Sequence, residues 1–367
     1  MFYDKELQAL HKAKRVRSRV IYDDSLVDLA SNDYLGLSKN KKLLKRAYKS
    51  IKKELYHSPK ASILVNGYSK IHQKFEDKLK ELHRFEDAIV VGSGFLANIA
   101  MFESLARKKD LFLIDEEYHA SGVLATRLSD ARILFFRHND ISHLQELINN
   151  NGGYQRLIIA IEGVYSMSGA IANKRIFDIA DKYNALLIVD EAHSSGILGA
   201  NLLGVFEHYG INPKANHIKM GTLGKAYGSY GAYILASKEI IEFLQNRAKP
   251  IIYSTAPSLF DIALAYEALL YIQKRKAVLR KKIQKRVSFL NQAFGKHNKS
   301  MIFTIPCKSN QEALDIQANL LDQGFIVGAI RQPTVKAPIL RIIPNCQISY
   351  KKLKEFIKLY FILVSKA

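Results

Sequence analysis

The chain has 367 residues, 48% of them hydrophobic and 24% charged, a length and balance that support a large core and exclude wholesale disorder. Lysine and arginine number 55 against 34 acids, for a net charge of +21. These basic residues run along the whole sequence with no nucleic-acid-binding motif beside them, so nucleic-acid binding is not expected; a basic surface equally suits an anionic small molecule or an acidic protein partner.

Cys307 and Cys346 are the only cysteines, too few for a disulfide framework or a cysteine-based metal site, and a reducing cytoplasm is the expected setting. The first twenty residues, MFYDKELQALHKAKRVRSRV, lack the apolar core of a signal peptide. No apolar run approaches the roughly 20 residues of a membrane helix. Neither a membrane nor a metal is expected.

In chain order, the first thirty or so residues read as a helix and an extended arm. From Ala88 to Ser237 short apolar runs alternate with amphipathic stretches. The predicted strands are Ala88–Val91, Leu111–Asp115, Arg132–Phe136, Leu157–Glu162, Ala185–Asp190 and Gly231–Ala236. Predicted helices between them include Phe95–Ala106, Ile141–Asn149 and Lys174–Tyr183. Nearly all-apolar strands alternating with helices imply an α/β fold whose mainly parallel sheet is covered on both faces. Ligands in such sheets collect at the carboxyl ends of the strands. After Pro257 a long helix to about Phe294 leads into Met301–Ile305, a helix over Gln311–Gln323, Phe325–Ile330, Ile339–Ile343 and a last helix from Ser349, a smaller α+β domain.

Three signals carry chemistry. A strand enters Gly92-Ser93-Gly94-Phe95 and opens a helix, so backbone N–H groups and the helix dipole face any anion placed there. This loop also fits the dinucleotide pattern, with Asp115 about where a ribose-binding acid sits, so a nicotinamide dehydrogenase stays open on this evidence. Second, the buried-type strand Leu186–Asp190 ends in an acid with His193 three residues on. A carboxylate there needs a cationic partner such as a pyridinium nitrogen, unless it only caps the next helix. Third, Lys225 is framed by Gly221, Gly224 and Gly228 just before the strand at Gly231. A partly desolvated lysine in such a frame has the lowered pKa that imine chemistry requires. Phosphate loop, strand-end acid and glycine-framed lysine are together the three handles of pyridoxal phosphate.

The segments Ser31-Asn-Asp-Tyr-Leu-Gly-Leu-Ser38, Gly67-Tyr-Ser-Lys-Ile-His72, Gly92-Ser-Gly-Phe95, Glu162-Gly-Val-Tyr-Ser-Met167, Val189-Asp-Glu-Ala-His193, Thr222-Leu-Gly-Lys-Ala-Tyr-Gly228 and Tyr253-Ser-Thr-Ala256 occur in this order. With them the sequence resembles the α-oxoamine synthase family of fold-type I pyridoxal-phosphate enzymes over nearly its whole length. The resemblance implies a large domain with a mainly parallel, seven-stranded-type sheet. It divides the chain into an N-terminal helix and arm (1–37), the large cofactor-binding domain (38–257) and a C-terminal α+β domain (258–367).

The resemblance also implies roles. Lys225 holds the cofactor as a Schiff base and then shuttles the substrate's α-proton. Asp190 pairs with the ring nitrogen, His193 and Ser166 sit near the phenolic oxygen, and His119 stacks on the ring, though it would otherwise pass as a loop histidine. Ser93, Gly94, Phe95 and Thr222 hold the phosphate, with Ser254 and Thr255 reaching in from the second subunit of a homodimer. Asn32 and Arg341 position the amino-acid carboxylate.

The implied reaction is decarboxylative condensation of a small amino acid with an acyl thioester. The Gly67-Tyr68-Ser69 turn and the Tyr253–Ala256 segment are most similar to the branch that joins L-alanine to a pimeloyl thioester, on coenzyme A or an acyl carrier protein, giving 8-amino-7-oxononanoate for biotin. Other branches use glycine or serine with acetyl, succinyl or palmitoyl groups. Three local departures stand out: Ser58-Pro59-Lys60-Ala61-Ser62 in place of a glycine-rich segment, a Thr255–Ser258 stretch one residue short, and Ile339 where an arginine is common.

Overall fold

The computed structural model describes residues 2–364. Its larger compact unit, Asp33–Ser166 with Ala170–Gln284, is built on a seven-stranded sheet. The strands are β1 (Asp87–Val91), β2 (Leu111–Asp115), β3 (Arg132–Phe136), β4 (Leu157–Glu162), β5 (Leu186–Asp190), β6 (His217–Thr222) and β7 (Ala232–Ala236). Their order is β1-β7-β6-β5-β4-β2-β3, parallel throughout from β6 to β3, with β7 antiparallel to both neighbours. β2 and β4 are buried along their whole length, as expected for strands covered on both faces. The helix Gly94–Leu105 packs on this sheet through Ala97, Met101 and Phe102.

Six of the seven strands agree with the predicted ones within a residue at each end. β6 is the addition. His217 and Lys219 interrupt its apolar pattern, yet both are fully buried. Lys219 is neutralised by Glu191, Nζ to Oε1 3.1 Å, so a buried ion pair supplies what a hydrophobic side chain would elsewhere.

The register fixes what lies at the carboxyl edge. Glu162 pairs with Asp190 and Asp190 with Met220, while Val91 and Thr222 both pair with Ala232. Strand-end residues far apart in sequence therefore meet along one edge.

The other unit gathers the residues up to Asn32, Met167–Gly169 and those from Lys285 on. It holds a three-stranded antiparallel sheet of Phe303–Pro306, Ile339–Ile342 and Gly328–Ile330. Val27–Asp28 pairs in parallel with Phe325–Ile326, and Leu29 shares a core with Phe303, Leu340 and Phe356. The expected segment Phe325–Ile330 is thus two short strands, each in a different sheet. The 36-residue helix Leu259–Phe294 begins in the larger unit and ends in this one. No described helix is long and apolar enough to cross a membrane.

Candidate active site

Lys225 sits on the loop between β6 and β7, which is closed by Leu223 N–H to Gly231 O (2.8 Å), Ser229 N–H to Leu223 O (2.9 Å) and Gly228 N–H to Lys225 O (3.0 Å). Leu223, Ala226 and Tyr227 are buried and anchor the loop, leaving Lys225 half-buried. Gly228 is required twice over: its φ is 62°, and a Cβ there would lie 2.7 Å from Ser38 N. Lys225 Nζ lies 2.8 Å from His193 Nε2.

Asp190, at the end of β5, is 5% exposed. Its carboxylate accepts the Ala192 N–H (2.9 Å) and an Asn98 Nδ2 hydrogen (3.0 Å), both neutral donors. Asn98 also donates to Ser121 Oγ (2.9 Å) and accepts from Tyr118 OH (2.9 Å). Ser121 Oγ in turn lies 2.8 Å from His119 Nδ1. One network therefore orients both the strand-end acid and His119. Desolvation lowers the His119 pKa, with the Asp190 charge opposing and the Lys225 charge adding to the shift, which favours a neutral ring.

Glu162, opposite Asp190 on β4, accepts the Ser166 N–H at 3.1 Å. Burial and the neighbouring Asp190 charge push its pKa well up, with Lys225 opposing. Two acids side by side at a buried edge do not both ionise easily, and the upward shift on Glu162 follows from that burial and crowding.

At the adjoining end of β1, Ser93 caps the helix Gly94–Leu105 by accepting the Leu96 N–H at 3.2 Å. Phe95 is exposed on its first turn. A Cβ on Gly94 would lie 2.6 Å from Thr222 Cγ2, so the glycine lets this helix start against β6. Thr222 Oγ1 is buried there with no hydrogen-bond partner. An orphaned hydroxyl beside a helix N-terminus fits a phosphate group, and Asp190 met only by neutral donors fits a cationic ring nitrogen. Pyridoxal phosphate is the cofactor that carries both. When bound it supplies an electrophilic carbonyl and a protonated ring that draws electrons from the bond being broken.

The structure thus brings Ser93, Gly94 and Thr222 together, and sets His193 beside Lys225. Ser254 Oγ donates to Pro250 O (2.7 Å), while Thr255 is exposed and followed by Ala256, whose N–H bonds Ala61 O (3.0 Å). In the other unit, buried Arg341 donates from Nη2 to Asn32 Oδ1 at 3.0 Å. Sequence reasoning gave no role to Asn98, Tyr118, Ser121, Glu162 or Tyr34. Asn98 had a usable signal, a polar residue on the inward stripe of an otherwise apolar helix.

Asp115 corrects the dehydrogenase alternative. Its carboxylate is fully buried and taken up by the Glu117 and Asn139 N–H groups (both 2.9 Å) and His138 Nδ1 (3.0 Å). It closes its own loop and has no room for a ribose.

Comparison with known proteins agrees. The family model for class I and II aminotransferases matches residues 24–359. An 8-amino-7-oxononanoate synthase of Helicobacter pylori strain J99 is 44% identical over 354 residues, covering 96% of this chain and 95% of that protein. The crystal structure of 8-amino-7-oxononanoate synthase from Francisella tularensis superposes with a TM-score of 0.79 at 28% identity, covering 94% of this chain and 99% of that one. Sphingomonas wittichii serine palmitoyltransferase shares the fold, with a TM-score of 0.90 at 24% identity over 98% of this chain and 96% of that one. The chain belongs to the class I and II aminotransferase family, and it is a pyridoxal-phosphate-dependent acyltransferase of fold type I.

Proposed function

We propose that the chain condenses L-alanine with a pimeloyl thioester to give 8-amino-7-oxononanoate, a step of biotin synthesis. The α-carbon loses its carboxylate as carbon dioxide and gains a bond to the acyl carbon, while the thiol leaves. The observation that carries the proposal is the Lys225 amine 2.8 Å from His193, on the same strand edge as an acid met only by neutral donors. The 44% identity to the Helicobacter pylori relative supports the choice of branch.

Lys225 provides the amine that binds the cofactor and later carries the α-proton. Asp190 holds the ring nitrogen protonated, and His119 packs on the ring face. Ser166 and His193 meet the phenolic oxygen. Ser93, Gly94, Phe95 and Thr222 hold the phosphate, joined by Ser254 and Thr255 of a second copy in a homodimer. Asn32 and Arg341, already hydrogen-bonded to each other, bind the alanine carboxylate. A net charge of +21 suits an anionic thioester or an acidic carrier protein.

The test is a substrate panel on purified protein: alanine, glycine and serine against pimeloyl, acetyl, succinyl and palmitoyl groups, each on coenzyme A and on a carrier protein. Alanine with a pimeloyl thioester should be the efficient pair. Efficient turnover only with glycine or serine overturns the assignment. Borohydride reduction followed by peptide mass analysis should place the cofactor on Lys225.

A further inference from the structure

Tyr34 has no part in the roles above, yet it is 1% exposed and its hydroxyl lies 2.6 Å from His193 Nδ1. The two rings meet edge to face, with centroids 6.0 Å apart and planes at 79°. Across the same imidazole, Nε2 lies 2.8 Å from Lys225 Nζ. Hydroxyl, imidazole and amine thus form a line. A neutral imidazole carries one N–H and one lone pair, so the hydrogen on one side dictates the other. If Nδ1 accepts from the tyrosine, Nε2 carries the hydrogen and aims it into the site. If Nδ1 carries it, Nε2 is the acceptor and takes a hydrogen bond from the lysine amine.

The tyrosine is built into a rigid turn. The Asp33 carboxylate accepts the Leu37 N–H (2.8 Å), the Ser38 N–H (3.1 Å) and the Ser38 hydroxyl (2.5 Å). Gly36 reverses the chain at φ 69°. This turn abuts the lysine loop, since a Cβ on Gly228 would lie 2.7 Å from Ser38 N and 2.8 Å from Leu37 C. The hydroxyl and the amine are therefore held on opposite sides of His193 by two packed backbones.

We propose that Tyr34 is a positioning residue: its O–H donates to Nδ1 and holds His193 as the tautomer with hydrogen on Nε2. Nε2–H then faces the Lys225 amine, and the site gains an N–H donor for the cofactor's phenolic oxygen. Only that last consequence rests on the function proposed above. The tautomer is a property of the chain.

The experiment is long-range ¹H–¹⁵N spectroscopy of the full chain carrying ¹⁵N-histidine, without cofactor and above neutral pH, with His193 assigned by loss of its signal in His193→Gln. The wild type should show hydrogen on Nε2. Tyr34→Phe, which keeps the ring, should shift the tautomer ratio about tenfold toward Nδ1, the worth of one hydrogen bond. In the loaded enzyme, Tyr34→Phe should lower kcat about 10- to 100-fold with KM unchanged, the scale of the loss when a metal-bound histidine is deprived of the partner of its second nitrogen. Hydrogen on Nδ1 in the wild type overturns the proposal, and so does an unchanged ratio in Tyr34→Phe. Should the variant not fold, the wild-type spectrum decides alone. Failure to condense alanine would sink the functional proposal while this one still stands or falls on the cofactor-free spectrum.

Discussion

Asp190 and Glu191 are consecutive and both buried, but they have opposite fates. Glu191 accepts Lys219 Nζ (3.1 Å), the Val205 N–H (2.6 Å) and the Ser194 hydroxyl, and Lys219 also donates to Leu203 O. Gly204, at φ 105°, closes over it, where a Cβ would lie 1.9 Å from Oε2. Burial lowers the Lys219 pKa, and Glu191 opposes the shift. That pair is sealed and complete. Asp190 is met by an amide and a backbone N–H, and Lys225 faces a histidine. A pair that satisfies itself holds the fold; an acid met only by neutral donors remains able to take a cationic ligand.

Breaking the sealed pair should have the largest effect. Lys219→Met strands a buried carboxylate, and an uncompensated charge of this kind costs about 3–5 kcal/mol. Denaturant unfolding should show that loss, and adding Glu191→Gln should recover much of it. Turnover of the folded fraction should stay near wild type. Asp190→Asn should do the reverse. It removes the anion for the ring nitrogen, so kcat should fall about 10²–10³-fold, the scale of a lost charge-stabilising group, while unfolding of the cofactor-free chain barely changes. If Lys219→Met abolishes turnover without lowering stability, the division between the two pairs is wrong.

The same contrast explains what the sequence made legible. Strands such as Leu111–Asp115 and Leu157–Glu162 announced themselves because every position is buried and neighbours in sequence report it. β6 did not, because its central Lys219 is neutralised by a residue 28 positions away that periodicity cannot see. At the site, the glycines framing Lys225 and the strand-end position of Asp190 are local signals. Asn98 and Tyr34 act through Asp190 and His193, 92 and 159 residues distant. The helix stripe marks Asn98 as buried and polar, but which residue it meets at that separation is a product of topology. The pairing of Val27–Asp28 with Phe325–Ile326 is hidden for the same reason.

Glu76 sharpens the comparison as a buried acid with no lysine seated on it. It accepts the Val90 N–H (2.8 Å) and the Tyr68 hydroxyl, while nearby Lys80 bonds Asp77 (2.9 Å) and Asp87 (3.5 Å). Burial raises its pKa from 4.5 to about 7, with those two hydrogen bonds opposing. The folded chain therefore keeps a proton that the unfolded chain has lost between these values. Stability must fall as pH rises through that window and level off above it. Glu76→Gln removes the titration. Its stability relative to wild type should climb by about 3 kcal/mol from acid to mildly alkaline pH, measured as the difference between two unfolding series. A constant difference would mean that folding leaves the acid's titration unshifted.

The smallest effect should come from Asn98→Ala. Its amide is the link between the Asp190 carboxylate, the Ser121 hydroxyl and Tyr118, and it lies on the helix whose first turn forms the proposed phosphate cradle. Truncation leaves one Asp190 oxygen and the Tyr118 hydroxyl without their partner, at a cost of about 1–2 kcal/mol. Part of that cost is recovered when a bound ring nitrogen offers Asp190 a new donor, so the charge itself survives where Asp190→Asn removes it. Pyridoxal-phosphate titration should accordingly show about tenfold weaker binding, with kcat at saturating cofactor reduced far less than in Asp190→Asn. Unchanged cofactor affinity alongside a lower unfolding midpoint would place Asn98 with Lys219, as a residue that serves the fold alone.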